Sequence, residues 1–321
     1  MSLTLPVPET VVSRYVVAAG EVPKDPYAMA RAQITDPPGD GALDWLGGPL
    51  LRIRSVAAAD SVWRDELPAV AVLDEDERER LLAAPGHLIV ESETPPHRQP
   101  RVAPRVRAVA RALAAATDGL LADLCTAQLI PPDRRVDGER DWFCLADRWL
   151  GCDCLVNPDA DNGDKPTECA CLCLFTRGLS RFGLPELVVD QVACAYDLAA
   201  TNLMRGLAVR LLGGLWGEPG ARELRVAETV VVEPGHMWGY WAARPLFGRP
   251  IPVRLAFTDR PGLPAGRRHV ELLPHPDFDG TRVEWGTEIL AEGLASVAGW
   301  QPDDPPYRIA EEPVTCDGVI D

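Results

Sequence analysis

The chain has 321 residues, 46% of them hydrophobic and 25% charged, which is an ordinary globular balance and excludes wholesale disorder. Its 32 Lys and Arg face 48 Asp and Glu, and the resulting net charge of −16 argues against broad contact with nucleic acid phosphates or an anionic membrane. No apolar run approaches the roughly 20 residues that span a bilayer, and the first residues lack a basic segment followed by an apolar one, so the expectation is a cytoplasmic protein.

Residues 10–18 (T-V-V-S-R-Y-V-V-A) have strand chemistry, because β-branched and aromatic side chains suit a pleated, half-buried surface. Prolines and glycines between Gly20 and Gly48 predict loops with one short helix, and Leu50 to Val56 reads as a strand. Asp74 and Glu77 form a D-x-x-E pattern that satisfies free amides at a helix start, with Pro85-Gly86 as its stop. A strand at His87–Val90, a helix over 100–116 and a strand at Leu120–Leu124 follow. In that helix Val102, Val106, Val109 and Leu113 make the buried stripe, and Arg98, Arg101, Arg105, Arg107 and Arg111 are read as its solvated flank.

The same strand, helix, strand order returns later: a strand at Glu186–Val189, a helix from Gln191 to Leu212 with Asp190 as N-cap and Gly213-Gly214 as terminator, and a strand at Leu224–Val232. That helix carries apolar residues on most sides, including Leu203, Leu207 and Leu211, so burial is expected. Strands at Val253–Phe257 and His269–Leu273, a late helix using Leu290, Leu294 and Val297, and an extended Pro-rich tail complete the reading. The fold class is α+β, with mixed or antiparallel sheets and packed helices. The division is an N-terminal α/β half over 1–135, a C-terminal α/β half over 136–301 and a tail over 302–321, with the repeated order open between duplication and common supersecondary structure.

Nine cysteines include five between positions 152 and 173, which is not the pattern of a secreted disulfide framework, so reduced thiols are expected. Cys152 and Cys154 precede a polar turn, after which Cys169, Cys171 and Cys173 alternate with apolar residues in the manner of a hairpin. Two readings stand: buried cysteines packing as small apolar side chains, or a thiolate set for zinc or copper. No cofactor is expected on the first reading. Asp159, Asp161 and Asp164 in the turn invite calcium, but the ligand spacing of an EF-hand is not met.

Residues 176–187 read T-R-G-L-S-R-F-G-L-P-E-L and lead into a strand and then a helix. This resembles the T-x-G-L-x-[KR]-F-G-x-P-E pattern of an uncharacterised bacterial domain family, some of whose members occur among toxin-immunity proteins. The resemblance rests on Thr176, Gly178, Leu179, Arg181, Phe182, Gly183, Pro185 and Glu186, with a looser likeness over about half the chain. It implies a fold and an interaction role, and carries no catalytic set. A ligand or partner site is expected among Arg177, Arg181, Glu186, His236, Trp238 and Trp241, the last three from the aromatic stretch H-M-W-G-Y-W.

None of the five histidines has a metal-binding spacing, and G-x-S-x-G, the P-loop and G-x-G-x-x-G at a strand-to-helix junction are missing. The functional expectation is a non-enzymatic protein-interaction role, immunity or regulatory, with a basic protein as the fitting partner. The alternatives are a thiolate metalloprotein and an enzyme with a cleft near His236.

Overall fold

A computed structural model describes residues 2–34, 40–48, 50–70, 73–130, 143–157, 167, 169–242 and 249–286. Through the first half the elements are strand β1 (Ser2–Pro6), β2 (Val11–Ala19), helix α1 (Pro26–Gln33), β3 (Arg52–Ala57), α2 (Trp63–Val70), α3 (Glu75–Ala83), β4 (Gly86–Thr94), α4 (Gln99–Ala116), β5 (Leu120–Asp123) and β6 (Gln128–Ile130). The second half adds β7 (Gly151–Val156), β8 (Leu172–Arg177), β9 (Glu186–Val192), α5 (Asp197–Gly217), β10 (Glu223–Ala227), β11 (Thr229–Val232), α6 (Pro234–Gly239), β12 (Ile251–Thr258), β13 (His269–Pro274) and α7 (Arg282–Trp285). The fold is α+β. Among the described residues no helix is long and apolar enough to cross a membrane.

The chain forms two compact units, one of residues 7–151 with 180–183, the other of 1–6, 152–179 and 184–321. The main division falls at Gly151/Cys152, against an expected boundary at 135/136, and each unit includes a short segment from elsewhere in the chain. The late helix at Leu290–Val297, the 302–321 tail and the acidic turn with Asp159, Asp161 and Asp164 lie outside the described residues.

The unit built on 7–151 holds an antiparallel five-stranded sheet in the order β3-β4-β2-β5-β6. Side chains alternate across its strands, so Val16, Ala18, Ile89, Leu120 and Ala122 share one face, where Leu67 of α2 and Leu81 of α3 cover them. The alternate residues Tyr15, Val17, Leu88, Val90 and Leu121 are also buried, and α4 packs on the same three central strands. Burial on both faces explains why Tyr15–Ala19 of β2 and Leu88–Val90 of β4 are apolar at consecutive positions. Helix α3 starts on the expected capping box of Asp74 and Glu77. Its neighbour α4 buries Val102, Val106, Val109 and Leu113 as expected, but Arg107 is not solvated: it is fully buried, its guanidinium 3.5 Å from the Trp149 ring centroid.

The other unit holds a mixed six-stranded sheet in the order β11-β12-β13-β9-β8-β7, in which β13 and β9 pair parallel, and a separate β1–β10 pair. The six-stranded sheet does not repeat the strand order of the five-stranded one, and β10, the strand that follows α5, lies outside it. Helix α5 packs on β8, β9, β11 and α6, with Leu203, Met204, Leu207 and Leu211 all buried.

Three local readings are corrected here. Asp190 is not an N-cap, because β9 continues to Val192 through Gln191, which takes φ +59, and a short 3-10 turn at Cys194–Tyr196 precedes α5. Gly213 and Gly214 lie inside α5, which runs to Gly217 so that Leu215 is buried. The expected strand at 224–232 splits at Glu228, β10 pairing with β1 and β11 with β12.

Candidate metal centre

The motif at 176–187 is held by one carboxylate. Glu186, at the start of β9, accepts from Thr176 Oγ1 at 2.9 Å and from the backbone N–H groups of Gly178 at 3.0 Å and Leu179 at 3.2 Å. Thr176 Oγ1 in turn accepts from the Leu187 N–H at 2.8 Å. Arg267 Nη1 stands 3.4 Å from the same carboxylate. Gly178 takes φ +117, which only glycine adopts readily, and so sets its amide in the turn that Glu186 closes. Each of these groups is consumed by the turn, and Glu186 is buried.

The other expected ligand-site residues are dispersed. Arg177 pairs with Asp153 of β7 and lies 5.4 Å from the Phe175 ring centroid. Arg181 belongs to the unit built on 7–151, where its guanidinium is fully buried against Asp123. His236 Nδ1 accepts from the Glu233 N–H at 3.0 Å, capping the start of α6, and desolvation and Arg210 lower its pKa against the pull of Glu233. Trp238 and Tyr240 are core residues, Trp241 is half-buried, and Tyr240 meets Trp241 edge to face at 5.0 Å. The close approach of α5 to α6 is set by Gly206, where a Cβ would stand 2.6 Å from Met237 Cγ. The aromatic stretch is therefore mostly packing.

The cysteines divide into separate groups. Cys154 is exposed and Cys152 half-buried on the edge strand β7, and desolvation pushes the Cys152 thiol up to about 11 while Arg205 opposes it. Cys173 packs with Phe175 and Val188 beneath Leu155 and Leu263, and its thiol is raised by burial. Cys169 and Cys171, immediately before β8, meet Cys194, a residue within the helix expected from Gln191 and outside the expected thiolate set. The Sγ atoms stand 3.4 Å apart for Cys169 and Cys194, 3.3 Å for Cys169 and Cys171, and 2.9 Å for Cys171 and Cys194.

Local pairing explains this convergence. Strands β8 and β9 pair antiparallel at Leu172–Val192 and Leu174–Val189, so β9 carries an extra residue, accommodated at Gln191 with its positive φ. Carrying the register one step past Leu172–Val192 sets Cys171 opposite Ala193, one residue from Cys194. The Cys194 N–H then donates to Cys169 Sγ at 3.2 Å. All three side chains are at most 2% exposed. Among the described residues this is the one group of three or more Cys, His, Asp or Glu whose ligand atoms lie within 4.8 Å of one another.

Three sulfurs at one point are a soft donor set, suited to zinc or copper(I). A tetrahedral site with metal–sulfur bonds of about 2.3 Å sets its sulfurs about 3.8 Å apart, so these thiols would open by about 0.4–0.9 Å to admit an ion. No family model, curated protein or solved structure matches the chain.

Proposed function

We propose that this protein binds a thiophilic metal ion, copper(I) or zinc, through Cys169, Cys171 and Cys194. The observation that carries the reading is the convergence of three buried sulfurs from two chain segments. Cysteines serving only as small apolar residues have no need to bring their sulfurs to one point, as the separately packed Cys173 illustrates. Three donors match copper(I), which two or three thiolates satisfy; zinc needs a fourth ligand beyond these three.

Elemental analysis of protein purified without chelators tests this. The expected result is close to one equivalent of metal, lost in Cys171→Ser and Cys194→Ser and retained in Cys173→Ser, with a lower Tm after chelation. Less than a few tenths of an equivalent, with Tm unmoved by chelators, overturns the reading.

A second reading, a protein-interaction role toward a basic partner, is favoured by the net charge of −16. Pull-down from native lysate across a salt titration tests it: a partner released as salt rises supports it, and turnover of a small molecule with no partner retained overturns it.

A further inference from the structure

We propose that Cys169, Cys171 and Cys194 also form a two-electron redox centre, oxidised by a small neutral peroxide, in which Cys194 is the obligatory disulfide partner. The proposal rests on the same convergence of sulfurs as the metal reading, but it concerns the metal-free thiols.

The three separations, 2.9 to 3.4 Å, are about 0.9–1.4 Å longer than a disulfide bond of about 2.04 Å, a gap that side-chain rotation can close. The pairs are not equivalent. Cys169 and Cys171 are separated by a single residue, which leaves the backbone little slack to bring both Cβ atoms to about 3.8 Å at the required dihedral. The remaining pairs, 25 and 23 residues apart, cross between segments, and both contain Cys194.

The backbone amide of Cys194 assigns an order to the chemistry. Its hydrogen bond to Cys169 Sγ holds that sulfur in place beside Cys194, and the form in which a cysteine attacks is the thiolate. The Cys169 thiolate attacks one peroxide oxygen: an S–O bond forms, the O–O bond breaks, and the departing hydroxide takes a proton to leave as water, giving a sulfenic acid. Cys194 then attacks the Cys169 sulfur, the S–S bond forms, the S–O bond breaks and a second water leaves. Overall two thiols lose two electrons and two protons, and one peroxide becomes two waters. Cys171, 2.9 Å from Cys194, can exchange into the bond by attacking the Cys194 sulfur and releasing the Cys169 thiolate.

Burial selects the oxidant. Exposures of 0, 1 and 2% leave no room to align the sulfurs of a bulky disulfide on these thiols, whereas a peroxide is little larger than water. Oxidation removes two of the three donors, so peroxide and metal compete for the same site.

The test uses full-length protein, reduced, stripped of metal and freed of reductant, then treated with a few equivalents of hydrogen peroxide, alkylated, digested and mapped by mass spectrometry. Expected are peptides joining Cys194 to Cys169 or Cys171, absent after dithiothreitol. Cys171→Ser should keep the Cys169–Cys194 bond, and Cys194→Ser should yield no bond within the group and a dimedone-trappable sulfenic acid at Cys169. A Cys169–Cys171 bond as the main product, pairing with Cys173 instead, or no disulfide in the wild-type chain overturns the proposal, and the wild-type map decides even if a variant fails to fold. Metal content is measured separately, so a disulfide in protein that binds no metal defeats only the metal reading, and metal without a disulfide defeats only this one.

Discussion

Arg181 donates from its guanidinium to the carboxylate of Asp123, 58 residues earlier in the chain, and both side chains are fully buried. The guanidinium carbon lies 5.4 Å from the Tyr15 ring centroid and 5.2 Å from that of Trp149. Burial holds the Tyr15 phenol well above its usual pKa, with Arg181 opposing the rise. Removing one member of such a pair leaves an uncompensated buried charge. Arg181→Ala and Asp123→Ala should each cost about 3–5 kcal/mol, whereas Arg181→Met with Asp123→Leu should recover much of the loss. Urea unfolding of the three variants checks this; single losses under about 1 kcal/mol would mean that the pair is solvated.

Glu186 should behave as a structural carboxylate. Glu186→Ala deprives the Thr176 hydroxyl and the Gly178 and Leu179 amides of their acceptor, so a loss of at least about 1.5–3 kcal/mol is expected, with Glu186→Gln recovering part of it. Equal stability of Glu186→Ala and wild type would show that the turn stands without it.

Helix α5 offers two opposed tests. Leu203→Ala removes a fully buried side chain and should cost about 2–5 kcal/mol. Gly206→Ala raises helix propensity by about 1 kcal/mol, yet its Cβ would meet Met237 Cγ at 2.6 Å and Val232 Cγ1 at 2.8 Å. Crowding should win, giving a net loss of about 1–3 kcal/mol in equilibrium unfolding. A stabilised Gly206→Ala would refute the close α5–α6 approach.

Acid should weaken the fold through His87. Its imidazole is buried on β4 with Nδ1 2.6 Å from Ser61 Oγ, and desolvation, helped by Arg64, lowers its pKa below 6.5. The folded state binds the proton more weakly than the unfolded state, so this contribution is present above pH 6.5 and is lost as pH falls through the depressed folded value. His236 and His269 are lowered as well and act in the same direction. Urea midpoints measured from pH 8 down to about 5 should therefore decline, and His87→Gln should flatten part of that decline. An unchanged profile in His87→Gln would rule out its share.

What was legible in the sequence was local. Asp74 and Glu77 announce α3 because a capping box depends on four neighbouring residues, and the apolar stripe of α4 announces its buried face because periodicity is a property of the segment itself. The tertiary structure decided what depends on residues distant in the chain. Arg107 looks solvated in sequence and Arg181 looks like part of a ligand site, and both are buried because Trp149 and Asp123 fold against them. Cys194 looks helical and joins the thiols because one extra residue in β9 resets the β8–β9 register and delays the start of α5. Cys173 shares the spacing of Cys169 and Cys171 yet packs apart from them. Spacing along a segment carries the period of its side chains, but which sulfurs meet is set by strand register, and that is specified only when the paired segments bury their faces together.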